Sequence, residues 1–314
     1  MSDTPPDEPT SPRPTSPRPA SPSPGVLRYD VVDVFTDRPY AGNPLAVVRG
    51  AESLSTARMQ AIAREFNLSE TAFPLDPTGD ADYRVRIFTP GAELPFAGHP
   101  SVGTAWVLAR DGAIGPGDRV QECGAGLLPI EVDGTGARIE GGVPHLGGDL
   151  DAGALAAAAG LDPDDVDGAA APGIAGAGVD YAILLVQPGA VARAAAHPAA
   201  LATATGGCTG LLVAAVDATA ERVHARMFGN GIGVDEDPAT GSAAVALGVF
   251  LADRGLVSDD GEHHFVVSQG AEIGRPSTLY AGVRTEDGRV TGTWVGGSVV
   301  AVASGSLTPP PEQG

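Results

Sequence analysis

The chain has 314 residues, 43% of them apolar, enough for more than one hydrophobic core, so two domains are expected and a disordered or fibrous protein is excluded. It carries 39 acidic against 19 basic residues, a formal net charge of -20 that repels nucleic acid and anionic membrane surfaces. All 19 basic residues are arginine, and without lysine there is no internal Schiff base to pyridoxal phosphate, no lysine general base and no Walker A lysine.

Residues 1–25 hold nine prolines and the tandem words TSPRP-TSPRP-ASPSP. This composition favours extended, solvated chain, and a disordered tail is expected; a docking segment for a proline-reading partner is the less favoured alternative. The end of the chain, 307–314, reads the same way. No run approaches the roughly 20 apolar residues that span a bilayer, and the N-terminus lacks an apolar signal core, so a cytoplasmic location is expected.

After the tail, YDVVDVF reads as a strand, DRPYAGNP as a turn that contains Asn43, and LAVV as a second strand. Met59, Ile62, Ala63 and Phe66 recur at helical spacing in STARMQAIAREF, with Ser55 placed to cap that helix and Asn67 to end it. In DYRVRIF, Tyr83, Val85 and Ile87 alternate with Arg84, Arg86 and Phe88, the pattern of a half-buried strand with solvated arginines on its far side. Cys123 and Cys208 are distant and lack metal-ligand spacing, so both read as buried small hydrophobes. His263 and His264 are neighbours that point to opposite faces of a strand; no metal is expected.

The chain also repeats itself. From Arg86 it reads RIFTPGAELPFAGHPSVGTAWVLARDG, and from Arg226 RMFGNGIGVDEDPATGSAAVALGVFLADRG. With Gly98 set on Gly241, Leu108 falls on Leu251, Ala109 on Ala252 and Gly112 on Gly255, and His99 faces Ser242. Upstream, Arg86 and Phe88 echo Arg226 and Phe228 across a loop three residues longer in the second copy. Both copies spell a strand, a glycine-rich loop and a helix ended by glycine, so an internal duplication and two related domains are expected. Each helix is apolar on most faces and should be sheathed by its own sheet. If the two N-terminal ends face one cleft, their free N–H groups and dipoles form an anion site that needs no cation.

Proton transfer at carbon also needs a base, and a desolvated carboxylate serves. Glu70 in NLSETAF and Asp237 in DEDPATGS are the candidate acids, with His99 and Ser242 beside the helix starts. Each has a plainer reading: Glu70 as an exposed loop carboxylate, Asp237 as a helix cap, His99 as a cap-region histidine and Ser242 as an inert first-turn serine.

The words VDVFTDRPYAGNPLAVV, MQAIAREFNLSETAF, RIFTPGAELPFAGHPSVGTA and DEDPATGSAAVALG, in this order and spacing, resemble the PhzF family of phenazine-biosynthesis-like isomerases over roughly residues 27 to 305. The resemblance implies an α+β fold like that of diaminopimelate epimerase: two similar pseudo-symmetric domains, each a curved, barrel-like β-sheet around a central α-helix. The first would span 26–145, completed by a C-terminal strand at 294–306, and the second 146–293. It further implies Glu70 as general acid/base, with His99 and Asp237 as its catalytic partners. Substrate-binding groups would be Ser242, Asn43 and the backbone of Gly98 and Gly241. A small carboxylate substrate of the dihydro-hydroxyanthranilate kind, no cofactor and a homodimer complete the expectation. Epimerase and proline-racemase relatives use two cysteines, but here the helix starts carry His99 and, near Ser242, Ala239. An amino-acid epimerase using Glu70 and another acid is the alternative, and a non-catalytic small-acid-binding protein a second one. The intact set Glu70, His99, Asp237 and Ser242 argues against the latter.

Overall fold

A computed structural model describes residues 26–217, 219, 221–231, 234–257 and 260–311. The tail expected at 1–25, and residues 312–314 of the one expected at the other end, lie outside the described residues. The first half of the chain forms β1 (Leu27–Val34), β2 (Asn43–Arg49), α1 (Thr56–Phe66), β3 (Glu70–Leu75), β4 (Tyr83–Phe88), β5 (Glu93–Leu94), α2 (Gly98–Arg110), β6 (Gly117–Cys123), β7 (Gly126–Val132) and β8 (Gly136–Glu140). Then come β9 (Pro144–Asp149), α3 (Ala152–Ala158), β10 (Gly173–Ala177), β11 (Asp180–Leu185), α4 (Pro198–Ala204), β12 (Gly210–Asp217) and β13 (Arg222–Gly229). The chain finishes with β14 (Glu236–Asp237), α5 (Gly241–Asp253), β15 (Gly261–Gln269), β16 (Ser277–Glu286) and β17 (Arg289–Leu307).

The duplication read from the sequence is a duplication of strand pairing. In the first half β1 pairs β2 antiparallel, β2 pairs β3 parallel, β3 pairs β4 antiparallel, β4 pairs β6 parallel, and β6, β7 and β8 follow antiparallel. In the second half β10, β11, β12, β13, β15, β16 and β17 repeat that order of antiparallel and parallel pairs. The short hairpin strands β5 on β4 and β14 on β13 repeat as well. The long strand β17 serves both sheets. Trp294–Ser298 pairs with β8 and Val299–Leu307 with β1, which closes eight strands into a barrel, while Arg289–Gly296 pairs with β16.

Each sheet wraps a helix because each helix is apolar nearly all round and must be buried on every side. In α5 every residue from Gly241 to Leu251 except Ser242 is buried, and α2 is buried from Gly98 to Ala105. The amphipathic α1 packs instead on the outer face of the first sheet, capped by Ser55 and ended by Asn67 in the left-handed conformation. That outer layer corrects one expectation. Phe88, placed by alternation on a solvated face, is fully buried, because Met59 and Ile62 of α1 cover it and Phe73 meets it edge-on with ring centroids 5.4 Å apart.

The far-side arginine is also bound rather than simply solvated. Arg86 grips Glu93 through two hydrogen bonds of 2.6 Å. Its repeat partner Arg226 grips Glu236 in the same way, at 2.7 and 2.6 Å. Cys208 is buried as expected; Cys123 is only half-buried, because it closes β6 at the turn into β7, where the sheet gives it less cover.

Candidate active site

The helices α2 and α5 begin without side-chain caps, so their first-turn N–H groups stay open. These two ends meet. A methyl group on Gly98 would lie 3.6 Å from Gly241 Cα and 3.7 Å from Ser242 N. The positive ends of two helix dipoles therefore converge on one cleft, as the repeat demands.

Glu70 opens β3 beside Leu45 of β2, at the rim of the first barrel. Its side chain keeps 17% exposure, but Oε2 is buried and has no hydrogen-bond partner. Burial, reinforced by the charge of Asp237, pushes the Glu70 carboxyl up to about 8. His99, on the first turn of α2, holds Nε2 3.5 Å from Glu70 Oε2. Burial pushes this imidazole down to about 3, against an opposing hydrogen bond to the backbone of Pro44. At neutral pH both groups are mainly uncharged, so their approach is a contact between neutral groups and not an ion pair.

Asp237 lies in β14, and burial raises it to about 6, opposed by hydrogen bonds from Thr240 and Asn43. Thr240 Oγ1 donates to Oδ2 at 2.6 Å and Asn43 Nδ2 to Oδ1 at 2.9 Å. Asn43 Nδ2 also donates to the Ala239 carbonyl at 2.9 Å, which leaves Asn43 Oδ1 as a buried acceptor without a partner. The plainer reading of Asp237 as a helix cap fails: Thr240 occupies that position, and Asp237 is strand-paired with Met227.

Ser242 Oγ lies 2.8 Å from the hydroxyl of Tyr181, a buried residue of β11 whose acidity burial weakens further. Sequence reasoning passed over Tyr181. The signal was a lone hydroxyl in the apolar run YAILLV, which needs a partner once buried. It also passed over Gln269, whose Nε2 donates to the Asp237 carbonyl at 2.8 Å and to Thr240 Oγ1 at 3.1 Å.

The pseudo-symmetry stops at the carboxyls. With Gly98 on Gly241, Leu94 occupies the place of Asp237. With Phe88 on Phe228, the paired registers Thr71 to Phe88 and Leu211 to Phe228 put Gly210 in the place of Glu70. Each half thus supplies one buried carboxyl that the other lacks. A cavity of about 360 Å³ opens beside them, lined by Pro44, Ser69, Pro238 and Arg275 among others. Among the described residues, no group of three or more His, Cys, Asp or Glu is gathered in the manner of metal ligands.

Comparison with known proteins adds an independent line. A sequence model of the family described as phenazine biosynthesis-like protein matches residues 32–305. The chain is 36% identical over 284 residues to a trans-2,3-dihydro-3-hydroxyanthranilate isomerase of Pseudomonas aeruginosa, an alignment covering 88% of this chain and 98% of that one. Among solved structures, a PhzF-family phenazine biosynthesis protein of Bacillus anthracis superposes with a TM-score of 0.81 at 25% identity, over 90% of this chain and 99% of that one. A predicted epimerase of Pseudomonas aeruginosa gives a TM-score of 0.74 at 34% identity with the same coverage.

Proposed function

The chain belongs to the PhzF family of phenazine biosynthesis-like proteins and is an isomerase, and from this premise we propose that it moves a proton between two carbons of a small carboxylate of the dihydro-hydroxyanthranilate kind, with Glu70 as the general acid/base and no cofactor. The observation that carries the reading is the buried, unpartnered Oε2 of Glu70 beside His99. A carboxyl near 8 is a far stronger base, once ionised, than a solvated one, and about a tenth of it is ionised at pH 7.

In this mechanism the substrate carboxylate docks on the N–H groups where α2 and α5 begin. The ionised Glu70 takes a proton from a carbon made acidic by the neighbouring double bond, and the electron pair spreads into that unsaturated system. Glu70, now neutral, returns the proton to a second carbon, so that it ends the cycle as it began. The neutral His99 positions the substrate and polarises it. Asp237, held by Asn43 and Thr240, adds a fixed negative charge that keeps Glu70 basic. The family resemblance supports a homodimer.

The experiment is incubation with trans-2,3-dihydro-3-hydroxyanthranilate in deuterated water, read by mass spectrometry. The expected result is a rearranged product carrying at most one deuterium. No turnover would remove this substrate class. Exchange with inversion at a single carbon would favour the second reading, an amino-acid epimerase, which the supply of one buried carboxyl by each half of the molecule supports.

A further inference from the structure

Arg275 lies in the loop between β15 and β16 of the second half, yet its side chain binds the first half. Nε donates to the Gly42 carbonyl at 2.9 Å, and Nη2 donates to the Ala41 carbonyl at 2.8 Å and to Asp33 Oδ1 at 2.5 Å. Asp33 is 2% exposed, and its other oxygen accepts from Tyr40 N at 2.6 Å. The backbone joins in: Gly42 N donates to the Pro276 carbonyl at 3.1 Å. The loop held in this way connects β1 to β2, and Phe35 and Tyr40 within it both stand at φ 64. Non-glycine residues keep such a conformation only where the surroundings over-determine it. Asn43 follows the loop directly, and its amide reaches back into the second half, to Asp237 and Ala239.

We infer that Arg275 is a positioning residue for the reaction: by holding Asp33 and the carbonyls of residues 41 and 42 it fixes Asn43, and through Asn43 it orients Asp237 across the cleft from Glu70. The inference rests on Asp237 belonging to the working site, as proposed above. Arginine suits the task because its planar fork satisfies three acceptors at once, which no single ammonium group does in that geometry. When the clasp is lost, the loop relaxes and Asp237 loses the Asn43 hydrogen bond that favours its ionised form. Asp237 then holds its proton to higher pH. Glu70 on β3 and Tyr181 on β11, which both feel its charge, become easier to ionise, while Thr240 keeps its own bond to Asp237 and His99 stays neutral.

The test uses the full chain and three variants. Arg275→Gln leaves Asp33 buried without a countercharge and can fail to fold; Asp33→Asn with Arg275→Gln removes both charges, and Arg275→Lys keeps one beside Asp33. Two quantities are read: the titration of Asp237 by carbon-13 carboxyl resonance, assigned through Asp237→Asn, and kcat and KM on trans-2,3-dihydro-3-hydroxyanthranilate. In the double variant kcat should fall about 10- to 100-fold, the loss expected when a group of the site is misplaced by about 1 Å, with KM nearly unchanged. The Asp237 midpoint should move up, and Arg275→Lys should recover part of both. A folded variant with wild-type kcat and an unmoved Asp237 midpoint overturns the inference, and so does a loss of thermal stability alone. If the wild type does not turn over this substrate, the functional reading falls, and the titration still decides the role of Arg275.

Discussion

Glu70 Oε2 and His99 Nε2 face each other at 3.5 Å inside the cleft, and neither atom has a hydrogen-bond partner. Both halves of this contact are displaced by burial toward their uncharged forms. Such a site holds a weak acid and a neutral ring close together.

Glu70→Gln keeps the size of the side chain and removes the carboxyl proposed as the base. Its kcat should fall by at least about 10² to 10⁴-fold, with KM changed much less. His99→Ala should slow turnover less completely. Steady-state kinetics on the two variants decides the matter: near-wild-type activity in Glu70→Gln with an inactive His99→Ala would reassign the base to His99.

The free enzyme should show kcat/KM rising with pH to a plateau, with an apparent midpoint near 8 that belongs to the Glu70–Asp237 pair. Stability should move the opposite way. Burial raises Glu70 above its unfolded value of 4.5, so its contribution is intact below about pH 4.5 and is lost as pH rises through 8. His99 is depressed from 6.5 to about 3, so its contribution is lost as pH falls through that interval. Urea titrations at pH 5, 7 and 9 should therefore show Glu70→Gln gaining on the wild type as pH rises, by about 1.4 kcal/mol for each unit of displacement at most. A difference independent of pH would mean that Glu70 is already solvated.

Gly98→Ala would place a methyl group over the gap between the two helix starts, at ordinary contact distances from Gly241 and Ser242. The fold should survive, but a substrate carboxylate would lose backbone donors. Weakening by about 1.5 to 3 kcal/mol, roughly 10- to 150-fold in KM, is expected for charge-assisted hydrogen bonds. An unchanged KM would place the anion site elsewhere.

The two arginine clamps should differ in worth because they differ in cover. The side chains of Arg226 and Glu236 are 9% and 13% exposed, those of Arg86 and Glu93 24% and 37%. Arg226→Met should cost about 3 to 5 kcal/mol by stranding a buried carboxylate, and Arg86→Met about 1 kcal/mol or less. Equal losses in chemical denaturation would show that burial does not set the difference.

Light scattering at micromolar concentration should give the mass of a homodimer. A monomeric mass would remove that element and leave the catalytic reading untouched.

The sequence by itself determined the duplication, since the paired words around Gly98 and Gly241 encode strand, loop and helix in the same order. It determined where α1 begins and ends, because Ser55 and Asn67 act on their own local backbone. All-apolar helices also announced that they would lie inside their sheets. The fate of Phe88 was decided only in three dimensions, because alternation reports one face of a strand and α1 comes from elsewhere in the chain to cover the other. Tyr181 and Gln269 escaped for a related reason: each becomes polar furniture of the cleft only when strands far apart in sequence bring it to Ser242 or Asp237. The ionisation of Glu70 and His99 belongs to tertiary structure altogether. Desolvation depends on what surrounds a group, and here the surroundings are a closed barrel and a second sheet that share β17, together with the N-terminal ends of two helices.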